Sequence, residues 1–260
     1  KPEEVTEKVV EKVVPEKVEK VEEKVVEAAP LVISNVLPEL KEMLEAGVHF
    51  GHSVKRRNPK MDEYVYAVKN GVQIFDLVKT RAQLVAACEY LTEIVAKGGK
   101  VLLVGTKGQA APAIRAEAMR LGMPFITTRW VGGLFTNWDQ LRTRINRLID
   151  MKAKFAAGEY KKYTKKEQVV LKKEMDRLER MYGGLVSMTE LPQVIFIVDP
   201  TSEATALRES LLKQIPVVAV CDSNCDPAGI EYVIPANDDA LKSVVMLIGA
   251  VTGAIEKGQK

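Results

Sequence analysis

Short, uninterrupted runs of apolar and β-branched residues recur along this chain and alternate with longer amphipathic stretches. Clear runs lie at 101–104, 194–198 and 217–220, and shorter ones at 73–77, 125–127 and 233–234. Strands that helices cover on both faces have this composition. The stretches at 80–97, 110–121, 202–212 and 238–255 have helical spacing. The alternation predicts an α/β fold, with a doubly wound parallel sheet of about five strands in a flavodoxin-like arrangement.

A different pattern interrupts this alternation at residues 129–182. Leu141, Ile145 and Leu148 are spaced by three or four residues, and a second arm repeats the spacing after a short loop. Thr164 followed by Glu167 is a capping-box pattern that opens the second arm. The spacing predicts an antiparallel coiled-coil hairpin inserted into the sheet domain.

Charge is unevenly distributed among the segments that these patterns define. Segment 1–37 is a low-complexity tail and linker rich in Glu, Lys and Val. We expect 38–128 and 183–260 to form the α/β domain and 129–182 the hairpin. The hairpin has a net charge of +7 in a chain of net charge +3, whereas 183–260 is acidic, with −5. The basic excess favours a polyanionic partner, and a solvated helical surface is the alternative.

Composition also excludes some classes of protein. No apolar run reaches the ~20 residues of a membrane helix, so we expect no membrane partner. The three cysteines are too few for a disulfide framework, which favours a reducing compartment.

Two stretches have the composition of RNA contacts. The first is a basic loop whose four bases could neutralise phosphates: Lys55, Arg56, Arg57 and Lys60. The second, 129–138, contains both tryptophans of the chain, Trp130 and Trp138, which could stack on unpaired bases beside Arg129. The alternatives are an ordinary surface loop for the first stretch and packing of Trp138 at the base of the hairpin for the second.

The ends of the predicted parallel strands suggest a competing function. The turn at 105–108 (GTKG) opens a helix and could cradle a phosphate, although it matches neither common phosphate-loop spacing. Its Lys107 could equally contact an RNA phosphate. Asp199 and Asp222 end strands where α/β enzymes place acidic residues, and helix capping is the simpler explanation. The alternative function is therefore an enzyme that binds a phosphorylated small molecule at the strand C-termini.

Metal ligation has a weaker basis. His49, His52, Cys221 and Cys225 are of the types that bind zinc, but the two pairs lie far apart in the chain. Structural roles are the favoured interpretation, and we predict neither a metal nor another cofactor. No local pattern indicates a catalytic triad.

Several stretches, in chain order, resemble the bacterial-type family of small ribosomal subunit protein two. The resemblance covers about 38–257, and one departure is Arg57, where the family usually has tryptophan. The matching stretches are 46–52 (AGVHFGH), 58–61 (NPKM), 99–107 (GKVLLVGTK), 129–138 (RWVGGLFTNW), 191–199 (LPQVIFIVD), 215–227 (IPVVAVCDSNCDP) and 234–240 (IPANDDA).

This resemblance implies a five-stranded α/β domain with a hairpin insertion and no catalytic activity. It implies a structural constituent on the solvent side of the small ribosomal subunit, between head and body, in bacterial cytoplasm or an organelle. The implied partners are small-subunit rRNA and neighbouring ribosomal proteins, including the large OB-fold mRNA-binding protein, and no homo-oligomer is expected. The expected rRNA-binding residues, from resemblance and charge together, are Lys55, Arg56, Arg57, Lys60, Lys107, Arg129, Trp130, Asn137, Trp138, Arg142 and Arg144.

Overall fold

The computed structural model describes residues 36–260. This part of the chain contains four short 3₁₀ helices. Val54–Arg56 and Pro59–Tyr64 lie between the first two strands, Glu159–Lys162 lies in the turn of the hairpin, and Gly183–Leu185 follows its second arm. In chain order the other elements are α1 (Leu40–Glu45), β1 (Phe50–Ser53), β2 (Val65–Lys69), β3 (Val72–Phe75), α2 (Leu77–Ala96), β4 (Val101–Val104), α3 (Ala111–Leu121), β5 (Phe125–Ile126), α4 (Trp138–Ala156), α5 (Lys165–Tyr182), β6 (Val194–Val198), α6 (Ala204–Leu212), β7 (Val217–Cys221), β8 (Tyr232–Pro235) and α7 (Leu241–Gln259).

The central sheet confirms the predicted doubly wound architecture. Its five strands are all parallel and lie in the order β5-β4-β6-β7-β8. Leu103 of β4 lies opposite Phe125 on one side and Phe196 on the other. The chain therefore places β5 on one side of β4 and then adds β6, β7 and β8 on the other side, so the strand order reverses at β4. Ligand sites of such sheets lie at the carboxyl ends of the strands beside this reversal.

Each face of the central sheet supports its own core, because successive side chains of a strand point to opposite faces. Val101 and Leu103 pack into the core that contains α2, α3 and α7. Leu102 and Val104 pack into the other core, which contains α6 and the base of the α4–α5 hairpin. All four residues of β4 are buried. Burial on both faces explains why the predicted strands are continuously apolar rather than alternating.

Helices α4 and α5 form the predicted inserted hairpin. The Thr164 hydroxyl accepts the Glu167 N–H, and the Glu167 carboxylate accepts the Thr164 N–H, so the capping box that opens α5 is confirmed. Leu141, Ile145 and Leu148 are buried, and Met151 continues their row. Lys152, at the next position, instead pairs with a carboxylate of α5 at the hairpin surface.

A small antiparallel sheet precedes the central one and was not predicted as such. The run at 73–77 does form a strand, β3, but it pairs with β1 and β2 in the order β1-β3-β2. Asn70 and Gly71 join β2 to β3, and both have positive φ, 53° and 75°. An Asn-Gly pair at such a two-residue turn is a strong hairpin signal that the sequence analysis overlooked.

Most of the predicted tail, 1–37, lies outside the described residues, and the boundaries at 128/129 and 182/183 stay predictions. None of the helices formed by residues 36–260 combines the length and apolar character that crossing a bilayer requires.

Candidate nucleic-acid interface

The basic loop is held in place by a part of the chain that is distant in sequence. The Asn58 side chain accepts the Lys60 N–H and so caps the second 3₁₀ helix, whose first residue is a proline. The Asn58 N–H donates to the Ser223 carbonyl at 2.8 Å, in the turn after β7. The His52 N–H, which precedes the loop, donates to the Ser223 hydroxyl at 2.8 Å. The loop is thus a fixed part of the surface at the carboxyl end of the central sheet.

The four bases of this loop are all exposed, but only some are free of carboxylates. Lys60 is held by both oxygens of Asp226 at 2.9 Å, and Arg57 lies 3.7 Å from Asp62. Within residues 36–260, no carboxylate forms an ion pair with Lys55 or Arg56. These two cations are therefore the most available phosphate ligands of the loop.

The aromatic stretch 129–138 divides into an inward and an outward side. Trp130 is buried, with its ring edge-on to Phe135 at a centroid distance of 5.1 Å. Trp138 is half-buried against the core that contains the hairpin base. Arg129 and Asn137 are exposed at the two ends of the loop. The structure therefore presents Arg129 and Asn137 to a partner, whereas the Trp130 ring is already occupied within the fold.

The inward side of this loop surrounds Glu209, a residue that the sequence analysis did not identify. The Trp130 indole N–H donates to Oε1 at 3.2 Å and the Gly133 N–H at 2.7 Å, while the N–H groups of Phe135 and Thr136 donate to Oε2 at 2.9 and 3.3 Å. Burial alone would raise the pKa of Glu209, but these hydrogen bonds outweigh it and lower the pKa below its ordinary value. A lone acid in an amphipathic helix gives no sequence signal of this role.

The hairpin supplies further exposed bases, including Arg142 and Arg144 on α4. Some hairpin cations are neutralised within the hairpin: Arg147 pairs with Glu174 at 2.8 Å, and Lys154 with Asp150 at 3.3 Å. For the part of the chain that the structure describes, no ion pair involves Arg142, Arg144 or the α5 bases Lys165, Lys166, Lys172, Lys173, Arg177 and Arg180.

Lys107 has a different environment from the other predicted RNA ligands. Its Nζ lies 3.0 Å from Asp199, 2.9 Å from Asp238 and 2.9 Å from Asp239. Burial alone would lower the pKa of Lys107, but its close contacts with the carboxylates of Asp238 and Asp239 raise the pKa above its usual range. A phosphate bound at the turn 105–108 would approach these carboxylates. The geometry therefore disfavours the phosphate cradle on which the alternative enzymatic function depends.

Beside Lys107 lies a group of side chains that could ligate a cation. One ligand atom from each of His52, Asp222, Asp238 and Asp239 lies within 4.8 Å of the others. His52 Nδ1 is 2.9 Å from Asp222, and the hydrogen bond to this carboxylate is the main cause of the raised His52 pKa. Three carboxylates and one imidazole suit a divalent ion, and Lys107 already provides positive charge to two of the carboxylates.

The four zinc candidates from the sequence do not come together as a ligand set. Among residues 36–260, the group with His52 is the only one of three or more potential ligands, and it excludes His49 and both cysteines. The His49 ring packs against the Phe50 ring at a centroid distance of 4.0 Å. Cys221 and Cys225 are both buried. His52 is thus grouped with carboxylates rather than with the two cysteines, and structural roles for His49, Cys221 and Cys225 stay the prediction.

Comparison with known proteins identifies the chain's relatives. Residues 43–258 match the family described as Ribosomal protein S2. The small ribosomal subunit protein uS2 of Desulfovibrio desulfuricans is 44% identical over 220 residues, which covers 85% of this chain and 85% of the relative. The protein of the same name from Corynebacterium kroppenstedtii is 44% identical over 222 residues, covering 85% of this chain and 78% of the relative.

Proposed function

Because the chain belongs to the ribosomal protein S2 family, a non-enzymatic structural component of the small ribosomal subunit, we propose that its exposed bases bind rRNA directly. As a ribosomal component it has rRNA and ribosomal proteins as neighbours. The proposed contacts are the basic loop, the outward side of 129–138 and the exposed hairpin bases. Trp130 and Lys107 have partners within the fold instead. Trp130 donates a hydrogen bond to Glu209, and Lys107 pairs with the carboxylates of Asp199, Asp238 and Asp239.

The observation that carries this proposal is the exposure of Lys55 and Arg56 on a loop that two distant hydrogen bonds hold rigid. A cation already paired with a carboxylate must give up that partner to bind phosphate, whereas a free one only releases counterions from the RNA. A fixed loop also loses little conformational freedom on binding. The loop therefore combines positive charge with a defined shape, which is how folded rRNA is recognised.

Protein partners would contact acidic surface outside the proposed RNA contacts. The segment 183–260 carries a net charge of −5, which favours basic protein neighbours where its carboxylates are not paired with the basic loop. We propose that these include the large OB-fold mRNA-binding protein where it is present, and that the chain lies on the solvent side of the subunit between head and body. Its proposed location is a bacterial-type ribosome, in bacterial cytoplasm or an organelle.

A salt series of rRNA binding tests the proposal with Lys55→Ala/Arg56→Ala. Each lost phosphate contact should reduce the slope of log K against log salt by roughly 0.9, so the double variant should lose about 2 units of slope. The matched control is Lys100→Ala/Lys257→Ala. Both control lysines are exposed, and within residues 36–260 neither forms an ion pair; Lys100 directly precedes β4, at the amino edge of the sheet.

The two variants separate the possible outcomes. The proposal requires weaker binding and a shallower slope for the loop variant and wild-type values for the control. Equal losses in both variants would indicate general charge attraction, and an unchanged slope in the loop variant would remove Lys55 and Arg56 from the interface.

A further inference from the structure

The exposed ends of the loop 129–137 are connected to one another through a single internal carboxylate. Glu209 accepts the Gly133 N–H, and the Gly133 carbonyl accepts the Asn137 N–H at 2.7 Å. The Asn137 carbonyl then accepts the Leu141 N–H at 3.3 Å, in the first turn of α4. A continuous set of hydrogen bonds thus runs from α6, through the loop, into the helix that carries Arg142 and Arg144.

The loop needs this carboxylate because its own sequence does not fix its shape. Gly132 and Gly133 give the backbone unusual freedom, and Gly133 has a φ of 89°. The buried N–H groups of Phe135 and of the Trp130 indole have no strand or helix partner, and Glu209 satisfies both. One carboxylate with four N–H donors replaces the secondary structure that the loop lacks.

We propose that Glu209 is a positioning residue for rRNA binding: its carboxylate fixes the loop so that Arg129, Asn137 and the first turn of α4 face the RNA together. Glu209 itself is buried, with 6% of its surface exposed, and does not touch RNA. Glu209 orders the loop before RNA binds, so the conformational entropy of ordering the loop does not reduce the affinity. This inference rests on the proposed rRNA-binding function.

The test compares Glu209→Gln with Glu203→Gln in the full chain. Gln has nearly the same shape as Glu but places an NH₂ group where two of the N–H donors need an acceptor. Glu203 is the matched control, because it is buried to a similar extent, with 4% exposed, at the start of the same helix. Its carboxylate accepts the Thr106 hydroxyl and makes no hydrogen bond to the loop.

Two readouts distinguish positioning from a general loss of stability. The first is NMR hydrogen exchange of the Trp130 indole N–H, measured in a Trp138→Phe background so that one indole remains. It should exchange about tenfold faster in Glu209→Gln, the effect of weakening one hydrogen bond to a charged group. The second is binding of purified bacterial small-subunit rRNA in a salt series, with otherwise wild-type tryptophans.

A double-mutant cycle with Arg129→Ala gives the decisive result. In the wild-type background Arg129→Ala should reduce the salt slope by roughly 0.9, whereas in Glu209→Gln it should change the slope little, because Arg129 is no longer held in position. Glu209→Asp, which keeps the charge, should restore part of the affinity. Glu203→Gln should match wild type in both readouts.

The outcomes separate this inference from the function on which it rests. If wild-type chain binds rRNA but Arg129→Ala has the same effect in both backgrounds, or if Trp130 exchange is unchanged, Glu209 does not position the loop. The same conclusion follows if Glu203→Gln is as harmful as Glu209→Gln. If the wild-type chain fails to bind rRNA at low salt, the proposed function fails and this inference fails with it.

Discussion

The stability of Asp238→Asn relative to wild type should increase as the pH rises from acidic to neutral. Asp238 is fully buried, and its Oδ1 lies 2.9 Å from Lys107 Nζ. Burial is the main cause that raises its pKa from 3.8 to about 7, and the nearby carboxylates of Asp199 and Asp222 raise it further against the opposing effect of Lys107. Asn keeps the size of the side chain and removes the titration.

The sign and size follow from proton linkage. Between pH 4 and 7 the folded state retains a proton on Asp238 that the unfolded state has released, so wild-type stability falls as pH rises. A shift from 3.8 to about 7 corresponds to about 4 kcal/mol at about 1.4 kcal/mol per pH unit. This contribution is absent below pH 4 and complete above pH 7.

Urea unfolding at several pH values measures this difference directly. The free energy of unfolding of Asp238→Asn minus that of wild type should rise by about 4 kcal/mol from pH 4 to pH 8, in a buffer with chelator to exclude bound cations. Asp239→Asn is the control. It contacts the same lysine from an exposed position, so it should cost less than about 1 kcal/mol at neutral pH. Parallel curves for Asp238→Asn and wild type would refute the assigned raised pKa.

Three further predictions concern stability. Gly133→Ala should destabilise the chain by about 1–2 kcal/mol in thermal unfolding, because Gly133 has a positive φ that a Cβ disfavours; an unchanged melting temperature would contradict this. Thr164→Ala should cost about 1 kcal/mol in urea, since it removes the capping box, and equal stability would show that the α5 cap contributes nothing. The His52 pKa is raised chiefly by its hydrogen bond to Asp222, so its stabilising effect is complete below pH 6.5 and is lost as pH rises through the folded-state pKa. His52→Asn should therefore destabilise more at pH 5 than at pH 8 in urea unfolding, and the reverse order would refute the assignment.

The sequence by itself determined the central parallel sheet and the helical hairpin because the relevant signals are local, whereas the small antiparallel sheet was not predicted. Continuous apolar runs such as 194–198 predict strands covered on both faces, and spacing by three or four residues predicts the hairpin helices. The capping box at Thr164 is contained within four residues. Each of these patterns depends on neighbours along the chain, so no knowledge of the fold is needed to read it. The basic loop was identified in the same way, from composition alone.

Tertiary structure alone decided which candidate side chains are available to a partner. Glu209 meets the Phe135 N–H across 74 residues of sequence, and Lys107 meets Asp239 across 132. Such contacts depend on how the sheet brings distant loops to one edge, and no local pattern encodes them. The same reason explains why His52 lies with Asp222, Asp238 and Asp239 rather than in a ligand set with the two cysteines. Local periodicity fixes the elements of this fold, whereas the availability of a charge depends on its partners, which only long-range packing brings within hydrogen-bonding distance.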